Sequence, residues 1–164
     1  MKNLLLLFAA FLAISCTNAQ KNSFSGEALS HPLTALDGTR PTFGEILQKH
    51  RGKPLVIEVW ASWCGDCVKS MPQFKELQSK HPEAGYVFIS MDRAEDKWKA
   101  GIEKHELKGD HYWSPEGMKG SFGKAVDLDW IPRYIIVDAK GNISLYRAIE
   151  TDFEKIDETL NSLK

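Results

Sequence analysis

The chain has 164 residues, 43% of them hydrophobic and 26% charged, and its 21 basic and 22 acidic side chains leave a formal net charge of −1. That length holds one domain with a full hydrophobic core. The near-balance of charge excludes both the basic excess of a nucleic-acid surface and the single-sign run of a polyelectrolyte partner.

The first twenty residues, MKNLLLLFAAFLAISCTNAQ, have the order of a secretory signal. Lys2 is a short positive region, and Leu4–Ile14 is an unbroken apolar run, shorter than the roughly 20 residues of a spanning helix. Two cleavage points compete. Leu12-Ala13-Ile14-Ser15-Cys16 resembles a bacterial lipobox, which would remove residues 1–15 and lipidate Cys16. Thr17-Asn18-Ala19 before Gln20 fits ordinary signal peptidase, which would remove residues 1–19. Either cut predicts a periplasmic or cell-envelope protein, soluble or lipid-anchored through Cys16. Disulfide chemistry is available there, and Cys16 stands outside it.

Residues 20–30 are mostly polar and read as a tether, leaving 31–164 as the folded domain. Leu33–Leu36 before Asp37-Gly38 predicts a short strand and turn. Thr42 is a candidate N-cap for a helix with Phe43, Ile46 and Leu47 on one face. Leu55–Trp60 is apolar and β-branched apart from Glu58, the pattern of a buried central strand. Val68–Lys80 carries Met71, Phe74 and Leu77 at helical spacing, and Tyr86–Met91 predicts a second buried strand. Glu95–Leu107 reads as an amphipathic helix on Trp98, Ile102 and Leu107. His111–Asp129 gives a weaker signal, a short strand and a helical turn. Tyr134–Val137, the turn at residues 138–142 and Ile143–Ile149 form a hairpin. Asp152–Leu163 closes the chain as a helix with Phe153, Ile156, Leu160 and Leu163 inward.

Three cysteines are too few for a disulfide framework, and Cys64 and Cys67 form the close pair. Trp63-Cys64-Gly65-Asp66-Cys67 falls where the strand hands over to the helix. Two thiols at this spacing form a disulfide with little backbone movement. The first lies over the unpaired N–H groups of the helix, whose dipole favours a thiolate, the nucleophilic form. Cys67, one turn deeper, is placed to resolve a mixed disulfide. A bond closing so short a loop stabilises little, and no second CxxC or nearby His pair completes a tetrahedral metal site. No metal is expected, and all five histidines read as surface or core residues.

From Leu33 to the C-terminus this ordered set resembles the thioredoxin superfamily, and more narrowly its exported TlpA/ResA-like thiol–disulfide oxidoreductases. The resemblance rests on Gly52-Lys53-Pro54 leading into the strand, on the CxxC, on Pro72 five residues after Cys67, and on Trp130-Ile131-Pro132 before the strand Tyr134–Val137 and Asp138. It implies an α/β thioredoxin fold. A central mixed β-sheet would be flanked by helices, with an N-terminal extension and a strand–helix insertion before a cis-Pro loop. It further implies that Glu58 is a buried acid exchanging a proton with Cys67, that the Ile131–Pro132 bond is cis, and that Trp63, Ile131 and Pro132 dock an extended substrate beside Trp130. The substrates would be protein disulfides and dithiols, such as apocytochrome thiols. No cofactor would be needed, and a membrane thiol reductase would recharge the pair. Two residues depart from the family pattern: Asp66 stands where Pro is common and Arg133 where Thr is. Gly65 and Asp66 are therefore candidate tuners of the couple, and Arg133 a candidate partner contact. The alternative function is a copper-binding carrier using the two thiolates and a distant His.

Overall fold

The computed structural model describes residues 21–164, so the signal segment and Cys16 lie outside the described residues. Its centre is β2, Leu55–Trp60, buried along its whole length as its apolar sequence requires. β2 pairs in parallel with β3, Gly85–Ser90, and antiparallel with β5, Arg133–Val137. A parallel pair needs a crossover, and α3, Gly65–Lys80, supplies it. β4, Asp110–Trp113, extends one side beside β3, and β1, Thr34–Ala35, pairs antiparallel at that edge. β6, Ile143–Ala148, closes the hairpin with β5 on the other side. The result is one mixed sheet of order β1-β4-β3-β2-β5-β6, the expected thioredoxin fold.

Helices cover the sheet because their apolar stripes have nowhere else to go. Phe74 of α3 packs on three rings of the sheet, Tyr86, Phe88 and Tyr134, with centroids 5.3–5.8 Å away. α6, Phe153–Ser162, buries Ile156 and Leu160 and sets Phe153 against Tyr134. α4, Glu95–His105, buries Trp98, which stacks on Trp113 of β4. α2, Phe43–Lys49, starts on a full capping box between Thr42 and Glu45. The weak stretch after β4 yields α5, Ser121–Ala125.

Three details differ from the sequence expectation. The tether reading is corrected, because Gly26–Ser30 forms α1, capped by Ser25. Phe24 and Ala28 are buried, with Phe24 edge-on to Phe43 at 4.8 Å. A few apolar residues among polar ones suffice to dock the segment. α3 begins at Gly65 rather than Val68, since Cys64 itself is the N-cap. α4 stops at His105 rather than Leu107, because Glu106 takes a left-handed φ of 50°. Among the described residues no helix is long and apolar enough to cross a membrane.

Candidate active site

Strand β2 delivers the chain through Ala61-Ser62-Trp63 to the start of α3. The turn is held by Asp92, which is buried just beyond β3. Ser62 donates its N–H to both Asp92 oxygens and its hydroxyl to Oδ1, and Ser90 donates its hydroxyl to Oδ2. Asp92 was not singled out by sequence; its one signal is a carboxylate directly after a buried strand.

Cys64 and Cys67 are disulfide-bonded, with Cα atoms 5.3 Å apart. Cys64 Sγ accepts the Cys67 backbone N–H at 3.1 Å, a donor from the first turn that would favour negative charge on that sulfur. Cys64 is 6% exposed and Cys67 is fully buried, so an outside thiol or disulfide reaches Cys64 first. Ile131–Pro132 is cis. The Ile131 carbonyl oxygen lies 3.5 Å from Cys64 Sγ, within reach of a reduced thiol as donor.

Trp63 and Trp130 are 61% and 51% exposed, against one other exposed large hydrophobic among the described residues, Leu36. They border a cleft of about 320 Å³ with Cys64, Asp66, Met118 and Ile131. Exposed apolar surface gathered at one spot marks a contact site. Asp66 stands in the first turn of α3, partly exposed, with Lys69 Nζ 4.0 Å away. A Cβ on Gly65 would meet nothing within 4 Å, so packing gives no reason for a glycine there.

On β2, Glu58 is 1% exposed and neither carboxylate oxygen has a well-formed hydrogen bond. Burial penalises its charged form and pushes its pKa up to about 8, with the neighbouring Tyr134 hydroxyl pulling weakly the other way. A carboxyl that titrates there can hold or release a proton in the range where thiols do. Tyr134, the cross-strand partner of Glu58, and Ser70 were also not singled out by sequence. The Tyr134 hydroxyl is 3.1 Å from Ser70 Oγ, which donates to the Cys67 carbonyl at 3.0 Å.

Arg133 is the correction at this site. It is 5% exposed and paired with Asp129, so it is not a free contact for a partner. Three histidines, His50, His81 and His111, are buried. Among the described residues no group of three His, Cys, Asp or Glu side chains could hold a metal ion.

A mixed sheet that presents a helix-capping disulfide to a cis-Pro loop, with a buried acid in its central strand, defines the thioredoxin-fold thiol–disulfide oxidoreductases. The comparisons agree: the chain belongs to the Redoxin family, whose profile matches residues 27–160, and within the superfamily it is a TlpA/ResA-like protein. It is similar to the thiol-disulfide oxidoreductase ResA of Bacillus thuringiensis subsp. konkukian, 25% identical over 176 residues, 99% of this chain and 98% of that one. The thiol:disulfide interchange protein DsbE of Haemophilus influenzae is 27% identical over 131 residues, 80% of this chain and 69% of its own. Among solved structures, a candidate thiol-disulfide oxidoreductase from Bacteroides vulgatus is 30% identical with a TM-score of 0.67, covering 83% of this chain and 87% of its own.

Proposed function

We propose that the protein is an exported reductant of protein disulfides, acting through Cys64, Cys67 and Glu58. The Cys64 thiolate attacks a substrate disulfide. A mixed disulfide forms and one substrate thiolate leaves. Glu58 takes the Cys67 proton from its ionised fraction, which its raised pKa of about 8 leaves available, and the new thiolate attacks Cys64 Sγ. The Cys64–Cys67 bond re-forms and the second substrate thiolate leaves. Two electrons pass to the substrate, and a membrane thiol reductase returns them. Trp63, Ile131 and Pro132 dock the extended substrate segment, whose backbone pairs with that of Ile131.

The observation that carries this reading is the difference between the two sulfurs: Cys64 caps the helix N-terminus and borders the cleft, and Cys67 is fully enclosed. The reducing direction is supported by Asp66. A carboxylate beside the pair opposes the Cys64 thiolate, and a less stable reduced form gives up electrons more readily. The resemblance points to envelope substrates such as apocytochrome thiols awaiting haem, or disulfides in need of repair.

Export is supported by the signal-like order of residues 1–20. Mass spectrometry of the mature N-terminus separates lipidated Cys16 from free Gln20, and an intact Met1 on a cytoplasmic protein contradicts both. The direction of transfer is tested by equilibrating the couple with glutathione. A potential near that of thioredoxin, roughly −270 mV, supports a reductant, and one near roughly −120 mV makes the protein an oxidant.

A further inference from the structure

The loop that presents Trp130, Ile131 and Pro132 to Cys64 is gripped from behind by charge. Arg133, the first residue of β5, is 5% exposed. Its Nη2 donates to Asp129 Oδ1 at 2.6 Å, so the pair spans the three loop residues between them. Arg147 of β6 donates to the other oxygen of the same carboxylate and reaches the Asp127 carbonyl at 3.4 Å. Next to it, the Tyr146 hydroxyl donates to the Val126 carbonyl at 2.7 Å. Two neighbouring residues of one strand thus hold the loop at Val126, Asp127 and Asp129, and Arg133 closes it from the far side.

The grip depends on Asp129. The carboxylate is 61% exposed and borders the cleft with Cys64. The Arg133 side chain is 6% exposed and its Nε is buried without a partner among the described residues. A buried guanidinium that loses its anion must move toward water or remain uncompensated, and the second outcome is costly. Arg133 is joined directly to Pro132, so any such movement is passed to the loop. With Asp129 neutral, two cations also face each other across the gap it bridged.

We propose that Asp129, Arg133 and Arg147 form a positioning latch that sets the Trp130-Ile131-Pro132 loop against Cys64 and so controls the docking of polypeptide substrates. The latch takes no part in the exchange of electrons. This inference rests on the reading of that loop as the docking surface.

The test compares two substrates of the full-length mature protein: a short peptide carrying one intramolecular disulfide, and bis(2-hydroxyethyl) disulfide, which is uncharged and needs no extended docking. Asp129→Asn should raise KM for the peptide about tenfold, a loss of about 1.4 kcal/mol in docking, with kcat nearly unchanged. Its rate with the small disulfide should change by far less than tenfold, since only the polypeptide needs the loop. Asp129→Glu, which keeps the charge, should recover most of the loss. Arg147→Gln removes the more exposed arm and should raise the same KM by a smaller factor, which provides a reading if Asp129→Asn does not fold. Trp130→Ala separates the two layers of the argument. If it raises the peptide KM while Asp129→Asn and Arg147→Gln do not, the latch is overturned and the docking loop stands. If Trp130→Ala leaves that KM unchanged, the docking reading falls and the latch with it.

Discussion

Glu58 of β2 and Tyr134 of β5 are register partners across an antiparallel pair, and the Tyr134 hydroxyl stands beside Ser70 on the helix that carries both cysteines. Burial first, and the Glu58 charge second, hold the phenol pKa above its ordinary value. Tyr134 therefore keeps its proton whatever Glu58 does. The buried acid sits against a neutral phenol whose one proton goes to Ser70 Oγ, since Ser70 donates its own to the Cys67 carbonyl, and among the described residues no cation pairs with it.

That environment sets the pH dependence of stability. Glu58 would ionise near 4.5 in the unfolded chain and titrates near 8 in the fold. Between those values the unfolded chain releases a proton that the native state retains. Stability therefore falls as pH rises from about 4.5 to about 8, and levels off above. At about 1.36 kcal/mol per pH unit the ceiling on this loss is ~5 kcal/mol. Glu58→Gln should abolish it. Urea unfolding of the oxidised protein at pH 5, 7 and 9 should show the variant gaining on the wild type as pH rises. The resolving step should slow in the same variant and lose its pH dependence. Parallel stability curves would mean that Glu58 is not held protonated.

Asp66 supplies a second prediction. Its carboxylate lies in the turn between the cysteines, with Lys69 Nζ 4.0 Å away. Removing the charge while keeping the shape, as in Asp66→Asn, should lower the Cys64 pKa and stabilise the reduced form. For a charge effect on the order of 1 kcal/mol, the couple becomes more oxidising by roughly 20 mV. Both changes should shrink in high salt. Alkylation rates against pH read the first, and glutathione equilibration the second. A Cys64 pKa that stays put or rises would assign Asp66 to the helix alone.

Gly101 tests how tightly α4 supports the site. A Cβ there would lie 2.9 Å from the Trp60 ring and 2.9 Å from Ser62 Cβ. Alanine is favoured over glycine inside a helix by roughly 0.8–1 kcal/mol, but overpacking a rigid core costs roughly 1–3 kcal/mol. Trp60 is fully buried and Ser62 is tied to Asp92, so neither yields easily. Gly101→Ala should lower stability by about 1–2 kcal/mol in denaturant titrations. A more stable variant would show that the turn before Trp63 has slack.

The parts of this architecture that declare themselves in sequence are those with one dominant physical signal. Leu55–Trp60 and Tyr86–Met91 are apolar enough to be central strands and nothing else. Thr42 before Phe43, Ile46 and Leu47 marks a helix start, and the CxxC between a strand and a helix marks the redox pair. Partners distant along the chain leave no such trace. Phe24 reads as an isolated aromatic in a polar tether until Phe43 is beside it. Asp92 is an ordinary acid until Ser62 turns back onto it. Tyr134 reads as a strand aromatic until its register places it opposite Glu58. Arg133 followed the resemblance as a departure, and its exposed-contact reading failed because the side chain is buried and its charge is taken up by Asp129, four residues earlier.

The central claim is the division of labour between the two cysteines, and a trapping measurement reaches it most directly. Cys67→Ala and Cys64→Ala are each reduced, mixed with the disulfide peptide and examined by intact mass. Cys64 sits at the cleft and Cys67 beneath it. Cys67→Ala should therefore accumulate a stable one-to-one mixed disulfide through Cys64, while Cys64→Ala accumulates almost none. Equal trapping by the two variants, or trapping by Cys64→Ala alone, would contradict the account.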